Sequence, residues 1–165
     1  MATTLPVPIE FALPAGWRAA PPDEVGAPGA AFVALHPRSD AGFTANIAID
    51  GEHRPDGATL SEIADRSLAR LRGPGATVVL TDRRDMGSAE APGLVQKLTI
   101  SGGVGGLSRD LVQTQVYLSL LDVADPHNRM MIRLVLTVTA AQYSEVLGDF
   151  EEFVRTVRPS AGNVS

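Results

Sequence analysis

Chemistry would be sought first in the glycine cluster Gly102-Gly103-Val104-Gly105-Gly106. Glycine-rich loops can cradle phosphate when a Gly-Lys-Ser/Thr sequence or a helix N-terminus follows. Neither follows here, and the spacing does not fit the dinucleotide fingerprint. Strand-like sequence flanks the cluster on both sides, so it reads as a hairpin loop that could act as a contact surface. The histidines are His36, His53 and His127, and no two have metal-ligand spacing. Asp122, Asp125 and His127 are close in one segment and have the right ligand types. Asp and Pro are also ordinary turn residues, which is the plainer reading, and Glu52-His53 is no stronger. Ser101, Ser108 and Ser119 lack the G-x-S-x-G nucleophile elbow. The charge runs Glu151-Glu152 and Asp82-Arg83-Arg84-Asp85 read as a solvated helix face and an exposed strand end or turn.

A surface is a better candidate than any motif. Strand alternation is read to place Lys97, Gln113, Gln115, Tyr117 and Arg133 on the less apolar face of a sheet. Polar, aromatic and Arg side chains on a concave sheet can bind a ligand or partner. A solvated sheet face, or one partly covered by a helix, is the simpler reading. Trp17, the only tryptophan, could anchor a partner or pack a corner of its own domain.

The element that must position these residues runs from Met130 to Pro159. Met130, Ile132, Leu134, Leu136 and Val138 alternate with Met131, Arg133, Val135, Thr137 and Thr139, giving a strand with one apolar and one mixed face. Thr139 with Gln142 has capping-box spacing, which predicts a helix starting there. Tyr143, Val146, Leu147, Phe150, Phe153, Val154 and Val157 form its apolar stripe, and Pro159 ends it. Gly148 lies within this helix and could permit close packing.

Upstream, Ile9–Leu13 reads as a short strand, and Arg18–Ala30 as an irregular loop. Strands are expected at Ala31–Leu35 and Phe43–Ile49, and a polar loop at Asp50–Gly57. Thr59 and Glu62 cap a helix with Leu60, Ile63, Ala64, Ser67, Leu68 and Leu71 buried, which Gly73-Pro74-Gly75 stops. Further strands are expected at Thr77–Thr81, extending towards Met86, at Leu94–Ile100 and at Leu107–Leu121, with Gly87–Gly93 as a turn. Strand runs with short connections, separated by single helices, predict an α+β fold with an antiparallel sheet.

Composition narrows the function classes. The 165 residues suit one domain, residues 1–165, able to bury a core without staples. With no cysteine there is no disulfide framework, thiolate metal site or cysteine nucleophile. The net charge of −5 argues against nucleic acid, which needs clustered cations. Lys97 is the only lysine; the Arg, Ala, Gly and Pro bias suggests a high-GC bacterial genome. No apolar run approaches the roughly 20 residues of a membrane span, and Met1–Glu10 lacks the marks of a signal peptide. A cytoplasmic protein is the expectation.

Several short motifs occur in a telling order. Phe-x-Leu-Pro-x-Gly-Trp (Phe11 to Trp17) precedes a Pro-rich loop, and FTANIAI precedes the capped helix that ends at Gly73-Pro74-Gly75. LTVTA then leads into a helix ending Phe-x-x-x-Val-Arg-Pro (Phe153 to Pro159). This order resembles the Mog/PsbP-like superfamily, especially its bacterial DcrB-type and actinobacterial LpqN-type members. The resemblance spans nearly the whole chain. It implies an α/β/α sandwich with an antiparallel sheet of about six to seven strands and two main helices. It also implies a non-enzymatic module that binds or assembles with a protein partner, with no catalytic, metal or cofactor residues to carry over. Many LpqN-type members are exported lipoproteins, but the lipobox cysteine is absent here. Two alternatives stay open: a small-molecule binder or enzyme using the mixed sheet face, and a secretion-system accessory protein or chaperone. A strand edge or the mixed face could also support a homodimer.

Overall fold

The structure is a computed structural model that describes residues 9–22, 30–40, 43–53, 59–72, 76–87, 92–104, 107–121 and 129–159. The elements are β1 (Ile9–Glu10), β2 (Arg18–Ala20), β3 (Phe32–Asp40), β4 (Phe43–His53), α1 (Leu60–Leu71), β5 (Ala76–Gly87), β6 (Pro92–Val104), β7 (Leu107–Leu121), β8 (Arg129–Thr139), α2 (Tyr143–Thr156) and β9 (Arg158–Pro159). Seven strands form one antiparallel sheet in the order β2-β3-β4-β8-β7-β6-β5, and β1 pairs with β9 in a separate two-stranded ribbon. No described helix is long and apolar enough to cross a membrane.

β8 is the middle strand, flanked by β4 and β7. Ile47 is opposite Leu136 and Ile49 opposite Leu134 on one side; Val112 is opposite Val138 and Val116 opposite Leu134 on the other. These residues share one face of the sheet, because opposed residues point the same way. That face packs on Val146, Phe150 and Phe153 of α2. Ile9, Phe11, Leu13 and Phe32 extend the same core, with the Phe11 ring edge-on to Phe32 at 5.0 Å and to Phe153 at 5.4 Å. The opposite face packs on α1 through two smaller clusters. One joins Leu60, Ile63 and Ala64 to Leu94, Tyr117 and Met131, and the other joins Leu68 to Val78 and Leu98.

The caps differ between the helices. Thr59 Oγ1 accepts the Glu62 N–H at 3.1 Å, as its spacing suggests. Thr139 does not start α2. It remains in β8 opposite Leu111, and a turn intervenes before Gln142, which lacks a side-chain cap hydrogen bond. The ladder holds Thr139 extended, so its hydroxyl receives the Gln142 N–H at 3.3 Å within that turn. α2 also ends before Pro159, which pairs with Ile9. Gly148 is exposed, and a Cβ there would meet nothing within 4 Å, so it serves no close packing.

Other boundaries move outward. Arg18–Ala20 is an edge strand inside the segment expected to be irregular. β3 passes through His36-Pro37 by means of a register shift between Leu35 and Ser39, and Asp50–His53 prolong β4. β6 and β7 continue pairing to Val104 and Leu107, so Gly102–Val104 lie within the ladder. Gly73–Gly75, Gly105, Gly106 and the Asp122/Asp125/His127 group lie outside the described residues.

Phe150→Ala is expected to destabilise the fold by about 3–5 kcal/mol, because it empties the centre of the α2 core. Gly148→Ala is expected to stabilise it by about 1 kcal/mol. Urea denaturation of both variants checks the pair of outcomes.

Candidate functional site

The sequence-derived surface residues divide among three places. Lys97 is opposite Thr114, so it faces α2 and not the Gln113/Gln115/Tyr117/Arg133 side. Lys97 therefore does not share a face with those four, contrary to the expectation from alternation. β6 carries apolar and polar residues on both faces, because both are partly covered: Leu94, Gln96 and Leu98 face α1, while Val95 and Lys97 face α2. Trp17 is only 7% exposed and belongs to the α2-side core. Its Nε1–H donates to Asp149 Oδ2 at 3.0 Å, and its ring meets His36 edge-on at 5.2 Å.

Gln113, Gln115, Tyr117 and Arg133 do come together, largely beneath α1. Tyr117 is fully buried and Gln115 is 3% exposed. A chain of hydrogen bonds crosses four strands. Arg83 donates to Asp65 Oδ1 on α1 at 2.7 Å and to Gln96 Oε1 at 2.7 and 2.9 Å. Gln96 Nε2 donates to Gln115 Oε1 at 2.6 Å, which also accepts the Tyr117 hydroxyl at 2.7 Å. Gln115 donates to Gln113 at 2.5 Å, and Gln113 to Thr137 Oγ1 at 3.1 Å. From Arg83 through Gln96, Gln115 and Gln113 to Thr137, each side chain donates to the next, an arrangement in which each amide polarises the next.

Arg133 lies beside this chain, opposite both Asp50 and Tyr117. Its guanidinium donates to Asp50 Oδ2 at 2.8 and 3.2 Å and to Ser67 Oγ of α1 at 2.6 Å. Burial alone would lower the Arg133 pKa; the hydrogen bonds and charge of Asp50, with Tyr117 adding to them, outweigh it and raise it above the ordinary value. Its raised basic pKa contributes stability that is lost only under strongly alkaline conditions. The network pins α1 to the sheet. Sequence reading missed Asp50, Ser67, Arg83, Asp65 and Gln96 because their roles depend on cross-strand register and on where α1 lands.

An open groove lies on the other face. A helix about 10 Å wide covers two or three strands spaced about 4.8 Å apart. α2 covers the middle strands, and a groove of about 360 Å³ remains between it and β5–β6. Val95, Val116, Leu147, Phe150 and Val154 give it an apolar lining; Arg84, Lys97 and Arg155 contribute cations and Asp82, Asp85 and Glu151 anions. Lys97 Nζ lies 4.4 Å from the Tyr143 ring centroid, and among the described residues it has no carboxylate partner. Thr114 Oγ1, also in the lining, is buried and has no hydrogen-bond partner among the described residues. Val79 and Met86, 48% and 38% exposed, face the same side on β5, opposite Thr99 and Gly93. Among the described residues no group of three His, Asp or Glu is placed to hold a metal.

This geometry defines a class: a three-layer α/β/α sandwich with the Mog1/PsbP-like fold. Solved structures carry the likeness. LpqN of Mycobacterium tuberculosis, described as involved in cell envelope biogenesis, superposes with a TM-score of 0.61 at 13% identity over 92% of this chain and 83% of that one. Cyanobacterial PsbP of Synechocystis sp. PCC 6803 gives 0.60 at 13%, covering 92% and 86%. The Saccharomyces cerevisiae Ran-binding protein Mog1p gives 0.60 at 14%, covering 92% and 89%. At such identities the likeness establishes the fold. No family model matches the chain, and no curated protein sequence matches it.

Arg133→Met is expected to cost roughly 1–3 kcal/mol, since it strands Asp50 and Ser67. Lys97→Met is expected to cost about 1 kcal/mol or less, since it loses one partly exposed cation–π contact. Equilibrium unfolding of the two variants separates the structural network from the open groove.

Proposed function

We propose that this chain is a non-catalytic protein-interaction module that uses the groove between α2 and β5–β6 as its contact surface. One observation carries the reading. The groove combines an apolar lining with Lys97 and the buried Thr114 hydroxyl, which among the described residues have no carboxylate partner and no hydrogen-bond partner respectively. An apolar centre with charged side chains around it is the anatomy of a protein contact. The fold likeness to a protein described as Ran-binding supports a binding role, without naming this chain's partner.

The α1 side suits that role less well. Its polar residues are hydrogen-bonded to one another, and α1 lies over most of them. Lys97, only partly buried in the groove, can change without unfolding the chain.

The test compares partners of matched variants. Wild-type chain, Lys97→Glu and Arg66→Glu are immobilised and exposed to extract from the native cells. Arg66 is exposed on α1 and serves as the control. Partners held by the wild type and Arg66→Glu but lost by Lys97→Glu support the groove. Retention of the same partners by Lys97→Glu excludes it.

A further inference from the structure

The outer strand β5 has an unusual symmetry of side chains. It is one edge of the seven-stranded sheet, with β6 on its inner side and no described strand on its outer side. A register shift between Leu80 and Asp82 sets Thr81 apart as the extra residue. Counted across that irregularity, the strand is symmetric about Arg83. Val79, Asp82, Arg84 and Met86 then share the face towards α2, opposite Thr99, Lys97, Val95 and Gly93 of β6.

We infer that β5 pairs with β5 of a second copy of this chain, antiparallel and centred on Arg83, to give a two-fold dimer with one continuous sheet. A two-fold axis at Arg83 sets Asp82 opposite Arg84 of the other copy, and does so twice. It also sets Val79 opposite Met86 of the other copy, again twice. The four charges at the centre alternate in sign around a rectangle, so each has only opposite neighbours. Within one chain Asp82 and Arg84 are 3.7 Å apart and well exposed, a weak arrangement alone. Directly opposed unlike charges in an antiparallel ladder are favourable. Val79 and Met86 are the exposed large hydrophobic residues of the described chain, and this pairing covers both.

The one like-charged pair in this register is Arg83 against Arg83. Each guanidinium turns back into its own chain, where Gln96 accepts from it and Asp65 neutralises it. Charges and bulges on an outer strand often protect against edge pairing. Here the charges alternate so that they match their own image, whereas a run of one sign would repel it. In this dimer the two grooves also open onto the same face on either side of the axis, since Asp82, Arg84 and Met86 line them. The inference stands apart from the proposed function, which requires no second copy.

Charge exchange tests it. Sedimentation velocity is run on wild type, Asp82→Arg and Arg84→Asp across a series into the high micromolar range. All three are expected to stay folded, because both side chains are exposed. The wild type is expected to dimerise with rising concentration. Each single variant faces like charge with like charge and is expected to associate at least about tenfold more weakly. An equimolar mixture of the two variants restores unlike pairs and is expected to recover association as a mixed dimer. A wild type that stays monomeric overturns the inference and leaves the edge to another kind of partner. Single variants that dimerise like the wild type, or a mixture no tighter than its components, also overturn it.

Discussion

The register of β8 between β4 and β7 governs the rest of the molecule. Because side chains alternate, that register assigns each central residue to one of two faces. Leu134 and Leu136 go to the α2 core, while Arg133 and Thr137 go to the α1 side. A slip of one residue would move Arg133 into the apolar core and Leu134 among the glutamines. The position opposite Arg133 is Asp50 on one side and Tyr117 on the other, so correct pairing is also what partners its charge. Polar specificity and apolar burial thus select the same alignment.

The two faces solve different problems. Beneath α1, hydrogen-bonding groups are taken out of water and must satisfy one another, and the run from Arg83 to Thr137 does this. The arrangement is stabilising only when complete, which makes it suited to fixing α1 and poorly suited to releasing it for a ligand. Beneath α2, burial is mainly apolar, and a single helix cannot span seven strands. The segment Ile9–Leu13 and Phe32 extend cover at one end, and the β5–β6 end is left as a groove.

Much of the architecture was legible in residue spacing. The alternation in Met130–Thr139 identifies a strand with one apolar face, the Thr59/Glu62 spacing identifies the start of α1, and the order of short motifs points to the sandwich. Local pattern fails where tertiary pairing overrides it. Thr139 has the spacing of a cap, yet ladder pairing with Leu111 holds it in β8. The candidate sites were less legible. Lys97 looked like a member of the polar face because β6 has no clean amphipathic pattern, and only its pairing with Thr114 reveals its side. The groove depends on sheet order: the connection from β4 through α1 carries the chain past three strand positions to the far edge, which no local signal encodes.

Backbone amide hydrogen exchange, measured residue by residue on dilute protein, tests this dependence on β8 most directly. If the β8 register holds both faces together, the β8 amides exchange last and only through global unfolding, while β5 amides exchange earlier through local opening. Exchange of β8 at the same rate and free energy as β5 would contradict it.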